Sequence, residues 1–74
     1  MDAHARQFRK DVPMAEGYSL WGSVSGRAVP YHRKWWVKQG DAVVGHLDQG
    51  RYEDSGAAGK QRRNWVRSLG ALAE

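Results

Sequence analysis

The chain contains no cysteine, and this absence excludes several kinds of protein. There is no disulfide framework, no cysteine nucleophile, and no thiolate ligand for a structural zinc ion. Long apolar runs are missing as well, because no segment approaches the length of a membrane span or of the apolar core of a secretory signal. We therefore expect a soluble cytoplasmic protein without a membrane partner.

Recognisable catalytic and metal-binding patterns are also missing. His4, His32, His46 and Asp48 do not have the spacing of a known set of metal ligands. The serines lie in expected turns or on a strand, without a histidine and a carboxylate at a recognisable spacing. The segment 56–60 is rich in glycine but lacks the spacing of a phosphate-binding loop. We predict a protein that is not an enzyme and that needs no metal or cofactor.

Size and charge bound the remaining possibilities. The 74 residues suffice for one small domain, near the lower limit at which a single core is self-sufficient. Four tryptophans supply much of the area that such a core can bury. Twelve Lys and Arg against eight Asp and Glu give a formal net charge of +4 and a pI of about 9.9. This basic balance favours polyanions or acidic protein surfaces as partners.

Residues 1–16 are expected to form a short helix or a flexible arm. Asp2 is a suitable cap for a helix that continues to Lys10. Chain ends are commonly loose, which favours the flexible arm. The alternative to a loose leader without a function is a basic arm, in which Arg6, Arg9 and Lys10 lie together and could wrap a phosphate backbone. The loose leader is favoured over this arm.

Residues 17–74 are expected to form one domain that begins with three strands. Apolar and polar residues alternate from 18 to 25, which is the period-two pattern of a half-buried strand. A second strand covers 31–38, and a third covers 42–47 after a tight turn at Gly40.

The register of the second hairpin is open at this point. A two-residue turn places Val44 on the same face as Trp35, whereas a three-residue turn places Val43 there. A slip by one residue reverses the faces of the whole third strand.

The C-terminal segment has the spacing of a helix. Residues 48–59 are polar and glycine-rich, which favours a loop, and either Asp54 or Ser55 is a suitable helix cap. Val66 lies at the margin of the apolar helix face, which is formed by Ala58, Trp65, Leu69 and Leu72. The predicted fold is α+β: a three-stranded antiparallel β-meander packed against one C-terminal α-helix.

Two surfaces are candidates for binding. Alternate side chains of a strand point to opposite faces, so the second strand separates an apolar face from a face with a tryptophan among cations. Trp21 points outward on the first strand by the same parity, Arg27 lies in the turn that follows, and the helix carries a second basic face. The predicted binding residues are Trp21, Arg27, His32, Lys34, Trp36, Lys38, Lys60, Arg63, Asn64 and Arg67.

These residues favour a small module that binds DNA or RNA, single-stranded or duplex. Bases stack on exposed aromatic rings, and neighbouring cations neutralise phosphates. The alternative is a protein-interaction module, such as an inhibitor, an adaptor or an assembly subunit of the kind that phages and mobile elements encode. Trp, Tyr and Arg dominate the hot spots of protein interfaces, so the same surface suits an acidic protein partner. It also suits a homodimer, since an exposed tryptophan usually marks an interface.

Overall fold

The computed structural model of the chain describes residues 6–26, 31–52 and 56–74. In these residues, four strands form one antiparallel sheet in the order β1-β2-β3-β4, and one helix follows. The elements are β1 (Arg6–Lys10), β2 (Tyr18–Ser25), β3 (Tyr31–Gln39), β4 (Ala42–Tyr52) and α1 (Gly56–Ser68). The α+β class, the meander and the C-terminal helix are confirmed. The number of strands is not, because the sheet has four where three were predicted.

The additional strand is β1, where a short N-terminal helix or a flexible arm was expected. Both alternatives were wrong for residues 6–10, which pair with β2. Phe8 pairs with Gly22 of β2, and its ring meets the Trp35 ring edge-on, with 5.7 Å between the ring centroids. A short isolated helix is marginal in water, whereas strand pairing satisfies the backbone groups of this segment and buries its one aromatic ring. The expected cap, Asp2, lies outside the described residues.

The core lies between the sheet and α1. Leu20 of β2 pairs with Val37 of β3, and both are buried together with Trp35. Val66 of α1 and Ala71 beyond the helix complete the buried cluster. We call this side of the sheet the inner face and the opposite side the outer face.

Gly22 makes room for the largest side chain of the core. It pairs with Trp35, and a Cβ atom at Gly22 would lie only 2.6 Å from the Trp35 ring. Arg62 of α1 covers the same indole, with its guanidinium carbon 4.7 Å from the ring centroid. The glycine in the middle of β2 is therefore required by the close approach of an aromatic ring.

The β3–β4 hairpin has a two-residue turn. Gln39 pairs with Ala42, which leaves Gly40 and Asp41 as the turn residues. Gly40 has φ +59°, a left-handed conformation that glycine adopts without steric cost.

A β-bulge at Val44 then sets the register of β4. Lys38 pairs with Val43 and Val37 pairs with Gly45, so Val44 is the extra residue. Neither of the two alternatives drawn from the sequence includes this shift.

The bulge decides which side chains of β4 reach the core. Leu47 pairs with Trp35 and packs against the core, while His46 pairs with Trp36 on the outer face. Without the extra residue, the two-residue turn would place His46 on the inner face and Leu47 in water, because a slip of one residue reverses the faces.

A second bulge leaves Gln49 unpaired, and the strand continues to Tyr52 where a loop was expected. The Gln49 side chain accepts a hydrogen bond of 2.7 Å from Trp35 Nε1. Its amide nitrogen donates to the Ala58 carbonyl oxygen and to Gln61 Oε1, both at 2.9 Å. Gln49 therefore connects β3 to the first turns of α1. The expected caps of this helix, Asp54 and Ser55, lie outside the described residues.

The helix ends earlier than the apolar spacing predicted. Gly70 has φ +73°, its N–H donates to the Arg67 carbonyl, and the Ala71 N–H donates to the Val66 carbonyl. These two bonds form a Schellman motif, in which a left-handed glycine terminates the helix. Leu72 therefore lies beyond the helix, where it pairs with Met14 of the β1–β2 connection.

A search of the described residues finds no helical segment with the length and hydrophobicity that a membrane span requires.

Candidate nucleic-acid interface

Trp21 and Trp36 lie directly opposite each other on the outer face. β2 and β3 pair them in register, and both side chains are half-buried. Side chains directly opposite on neighbouring strands have Cβ atoms about 5 Å apart, so the two indoles are neighbours. The outward orientation predicted for both tryptophans by strand parity is confirmed.

The pair is part of a row that crosses all four strands. Arg9 of β1 pairs with Trp21, and His46 of β4 pairs with Trp36. Both flanking side chains are exposed. We call these four residues the tryptophan row.

The sequence alone does not identify the two ends of this row. Arg9 reaches the outer face because β1 is a strand, and strand parity then sends Arg6 and Lys10 to the inner side. His46 reaches it because of the bulge at Val44. Phe8 is the only apolar residue of β1, so no alternation in the sequence could have placed Arg9.

Lys38 flanks the row on the side of the β3–β4 turn. Its ammonium nitrogen lies 4.6 Å from the centroid of the Trp21 ring, a cation–π contact. The Trp21 Nε1–H donates a hydrogen bond of 2.8 Å to Ser19 Oγ. Trp36, on the neighbouring strand, is half-buried to the same class as Trp21.

Lys34 and Asp48 flank the row on its other side. They pair with each other across β3 and β4, and both are exposed. Asp48 Oδ1 accepts a hydrogen bond of 2.7 Å from the Gly50 N–H and lies 3.0 Å from His32 Nε2. The Gly50 hydrogen bond, followed by the charges of His32 and Lys34, lowers the pKa of Asp48 below its ordinary value.

The basic face of the helix lies on the opposite side of the domain. Val66 turns the buried side of α1 toward the inner face, and four predicted residues are exposed away from it: Lys60, Arg63, Asn64 and Arg67. Arg67 forms an ion pair of 2.8 Å with Glu74 and donates to Asn64 Oδ1 at 3.3 Å. The structure therefore does not bring the helix residues together with those of the sheet.

Three further observations concern the predicted site and its surroundings. Arg27 lies outside the described residues. A pocket of about 200 Å³ opens beside α1, away from the tryptophan row, and is lined by Val12, Pro13, Gly59, Arg62, Arg63 and Leu72. Within residues 6–26, 31–52 and 56–74, no three His, Asp or Glu side chains converge in a way that could hold a metal ion.

Comparison of the chain with protein-family models, with curated proteins and with solved structures finds no match. The function is therefore inferred from the geometry of the outer face itself.

Proposed function

We propose that the protein is a non-enzymatic module that binds single-stranded nucleic acid on the outer face of its sheet. The observation that carries this proposal is the pairing of Trp21 with Trp36, in register and half-exposed, among the cations of the same face. The described segments outside the sheet pack on the inner side, where Val12, Met14 and Leu69 contact the core. Within residues 6–26, 31–52 and 56–74, no segment outside the sheet therefore packs on the tryptophan row.

The chemistry of this face suits an unpaired strand. A base that stacks on an exposed indole contributes about 1 to 3 kcal/mol, with little dependence on its identity. Lys34 and Lys38 lie on opposite sides of Trp36 along β3, because alternate residues share a face. Cations placed in this way can neutralise the phosphates on both sides of a stacked base.

A duplex fits the outer face less well than a single strand. The bases of a duplex are already stacked on one another, so they present no ring faces to Trp21 and Trp36. The cations of α1 could contact a duplex backbone, but they lie on the other side of the domain. We therefore favour single-stranded DNA or RNA.

The test is a fluorescence titration with a single-stranded oligonucleotide of about eight residues. Stacking on the indoles should quench the tryptophan emission. Neutralised phosphates release counterions, so log Kobs should fall with log salt concentration by about 0.7 per phosphate contact.

Two variants separate stacking from charge. Trp36→Ala should weaken binding by roughly 1 to 3 kcal/mol and leave most of the salt slope intact. The double variant Lys34→Ala/Lys38→Ala should flatten the slope. Its matched control, Lys60→Ala/Arg63→Ala, removes the same number of charges from the opposite side of the domain and should change the slope little. If low salt gives no quenching with single-stranded DNA or with single-stranded RNA, the proposal is wrong.

A protein partner is the second candidate, and the exposed valines of β4 favour it. Val43 and Val44 are 46% and 40% exposed, next to the tryptophan row at the hairpin end of the sheet. An apolar patch beside tryptophan and arginine is typical of a protein interface. A cationic surface of this kind would select an acidic partner, with Trp36 as its anchor.

A further inference from the structure

Asp48 is a carboxylate in a face that otherwise collects cations. It lies on β4 opposite Lys34, and two residues from His46, the partner of Trp36. The pairing is regular between these positions, so Asp48 is the diagonal neighbour of Trp36 on the outer face. Diagonal neighbours in a sheet are about 7 to 8 Å apart, within reach of a base stacked on the indole.

The carboxylate is held in one orientation. Both of its polar contacts in the described residues involve Oδ1, which receives the Gly50 N–H and lies next to His32 Nε2. The lowered pKa of Asp48 keeps it ionised at neutral pH. The second oxygen, Oδ2, is therefore a charged acceptor that a ligand can use.

A negative charge at this place weakens phosphate binding, because it repels the polyanion. It can improve the recognition of a base, since base edges are neutral and some carry N–H donors. The exocyclic amino group of cytosine is such a donor, and aspartate is one of the side chains that accept from it. Thymine and uracil carry an oxygen at the same position, which a carboxylate repels.

We propose that Asp48 is a specificity-determining residue, which accepts a hydrogen bond from the amino group of a base stacked on Trp36. The outer face then prefers cytosine over thymine or uracil. This inference rests on the proposed binding of single-stranded nucleic acid. Asp48 would give a preference for one base to a surface that would otherwise bind any sequence.

The experiment compares oligo-dC with oligo-dT of the same length, in the same buffer, by tryptophan quenching. The two ligands share a backbone and a pyrimidine ring, so they differ mainly at the group that Asp48 would contact. We expect oligo-dC to bind about tenfold more tightly, the scale of one hydrogen bond to a charged group.

Asp48→Asn tests the residue with little structural change. Its amide oxygen can still accept the Gly50 N–H, and its amide nitrogen then presents a donor where the carboxylate had an acceptor. The preference for oligo-dC should disappear or reverse, and oligo-dT should bind more tightly than it does to the unchanged protein. The matched control is Asp41→Asn in the hairpin turn, which removes the same charge and should strengthen both ligands equally.

The outcomes distinguish this inference from the proposed function. Salt-dependent quenching with equal affinity for oligo-dC and oligo-dT would overturn the role of Asp48 and leave the proposed function standing. A preference for oligo-dC that survives Asp48→Asn would also overturn it. Absence of binding to oligo-dC, to oligo-dT and to single-stranded RNA would overturn both proposals.

Discussion

Trp35 Nε1 donates a hydrogen bond of 2.7 Å to Gln49 Oε1, and through Gln49 this contact connects β3 to the helix. Gln49 is available for it because the bulge leaves the residue without a partner on β3. The same side chain donates to the Ala58 carbonyl, so it satisfies a buried indole and a helix backbone group together. A bulge in an edge strand thus positions the element that covers the core.

Gln49→Ala should lower the free energy of unfolding by about 1 to 3 kcal/mol, because it leaves the buried Trp35 N–H without an acceptor. Urea denaturation monitored by fluorescence measures this change. Gln61→Ala is the control, since it removes only the exposed bond to Gln49 and should change the unfolding free energy by less than about 1 kcal/mol. If both variants lower the free energy of unfolding equally, the Trp35–Gln49 hydrogen bond contributes no more stability than the exposed bond to Gln61.

Gly22→Ala should destabilise the domain by about 1 to 3 kcal/mol, because the added methyl group would force the Trp35 ring out of its place. Gly59→Ala should instead stabilise the domain. No atom lies within 4 Å of the Cβ position there, and alanine in a helix is favoured over glycine by roughly 0.5 to 1 kcal/mol. Thermal denaturation of the two variants tests the pair, and a stabilised Gly22→Ala would contradict the observed packing.

Strand parity alone predicted much of the candidate site. The alternation in β3 separates Trp35 and Val37, which are buried, from Trp36, which faces outward. Such a pattern is informative because the side chains of a strand repeat every two residues. The direct pairing of Trp21 with Trp36 depends on the β2–β3 register, which the sequence leaves undetermined.

Other features of the fold depend on contacts between segments that are distant in the sequence, so the pattern of one segment does not predict them. β1 has only Phe8 as an apolar residue, and its strand conformation follows from pairing with β2. A two-residue turn with regular pairing would point Leu47 away from the core. The extra residue at Val44 shifts the pairing by one, so that Leu47 packs against the core. In α1, Val66 rather than Trp65 takes the fully buried position, while Trp65 is partly buried and packs against the core.

The carboxyl group of Asp48 should titrate below its ordinary pKa of 3.8. A group whose pKa is lower in the folded chain stabilises the fold above its unfolded pKa, and this contribution is lost as the pH falls through the folded value. NMR titration of the side chain gives the midpoint. His32→Ala should raise the pKa only in part, since the Gly50 hydrogen bond is the larger cause. A midpoint at or above 3.8 in the unchanged protein would contradict this prediction.

Self-association should compete with the ligand for the outer face. Trp21 and Trp36 form a half-exposed aromatic surface, and a second copy related by a two-fold axis would cover it with the same surface. We therefore expect sedimentation equilibrium to show a dimer at high micromolar concentration, and Trp36→Ala to weaken it. A saturating oligonucleotide should convert the dimer into complexes of one protein chain, because both partners need the same indoles. A monomer at high micromolar concentration would contradict the dimer. A dimer that persists with the ligand bound would instead place the contact elsewhere, with the exposed Val43 and Val44 as the first candidates.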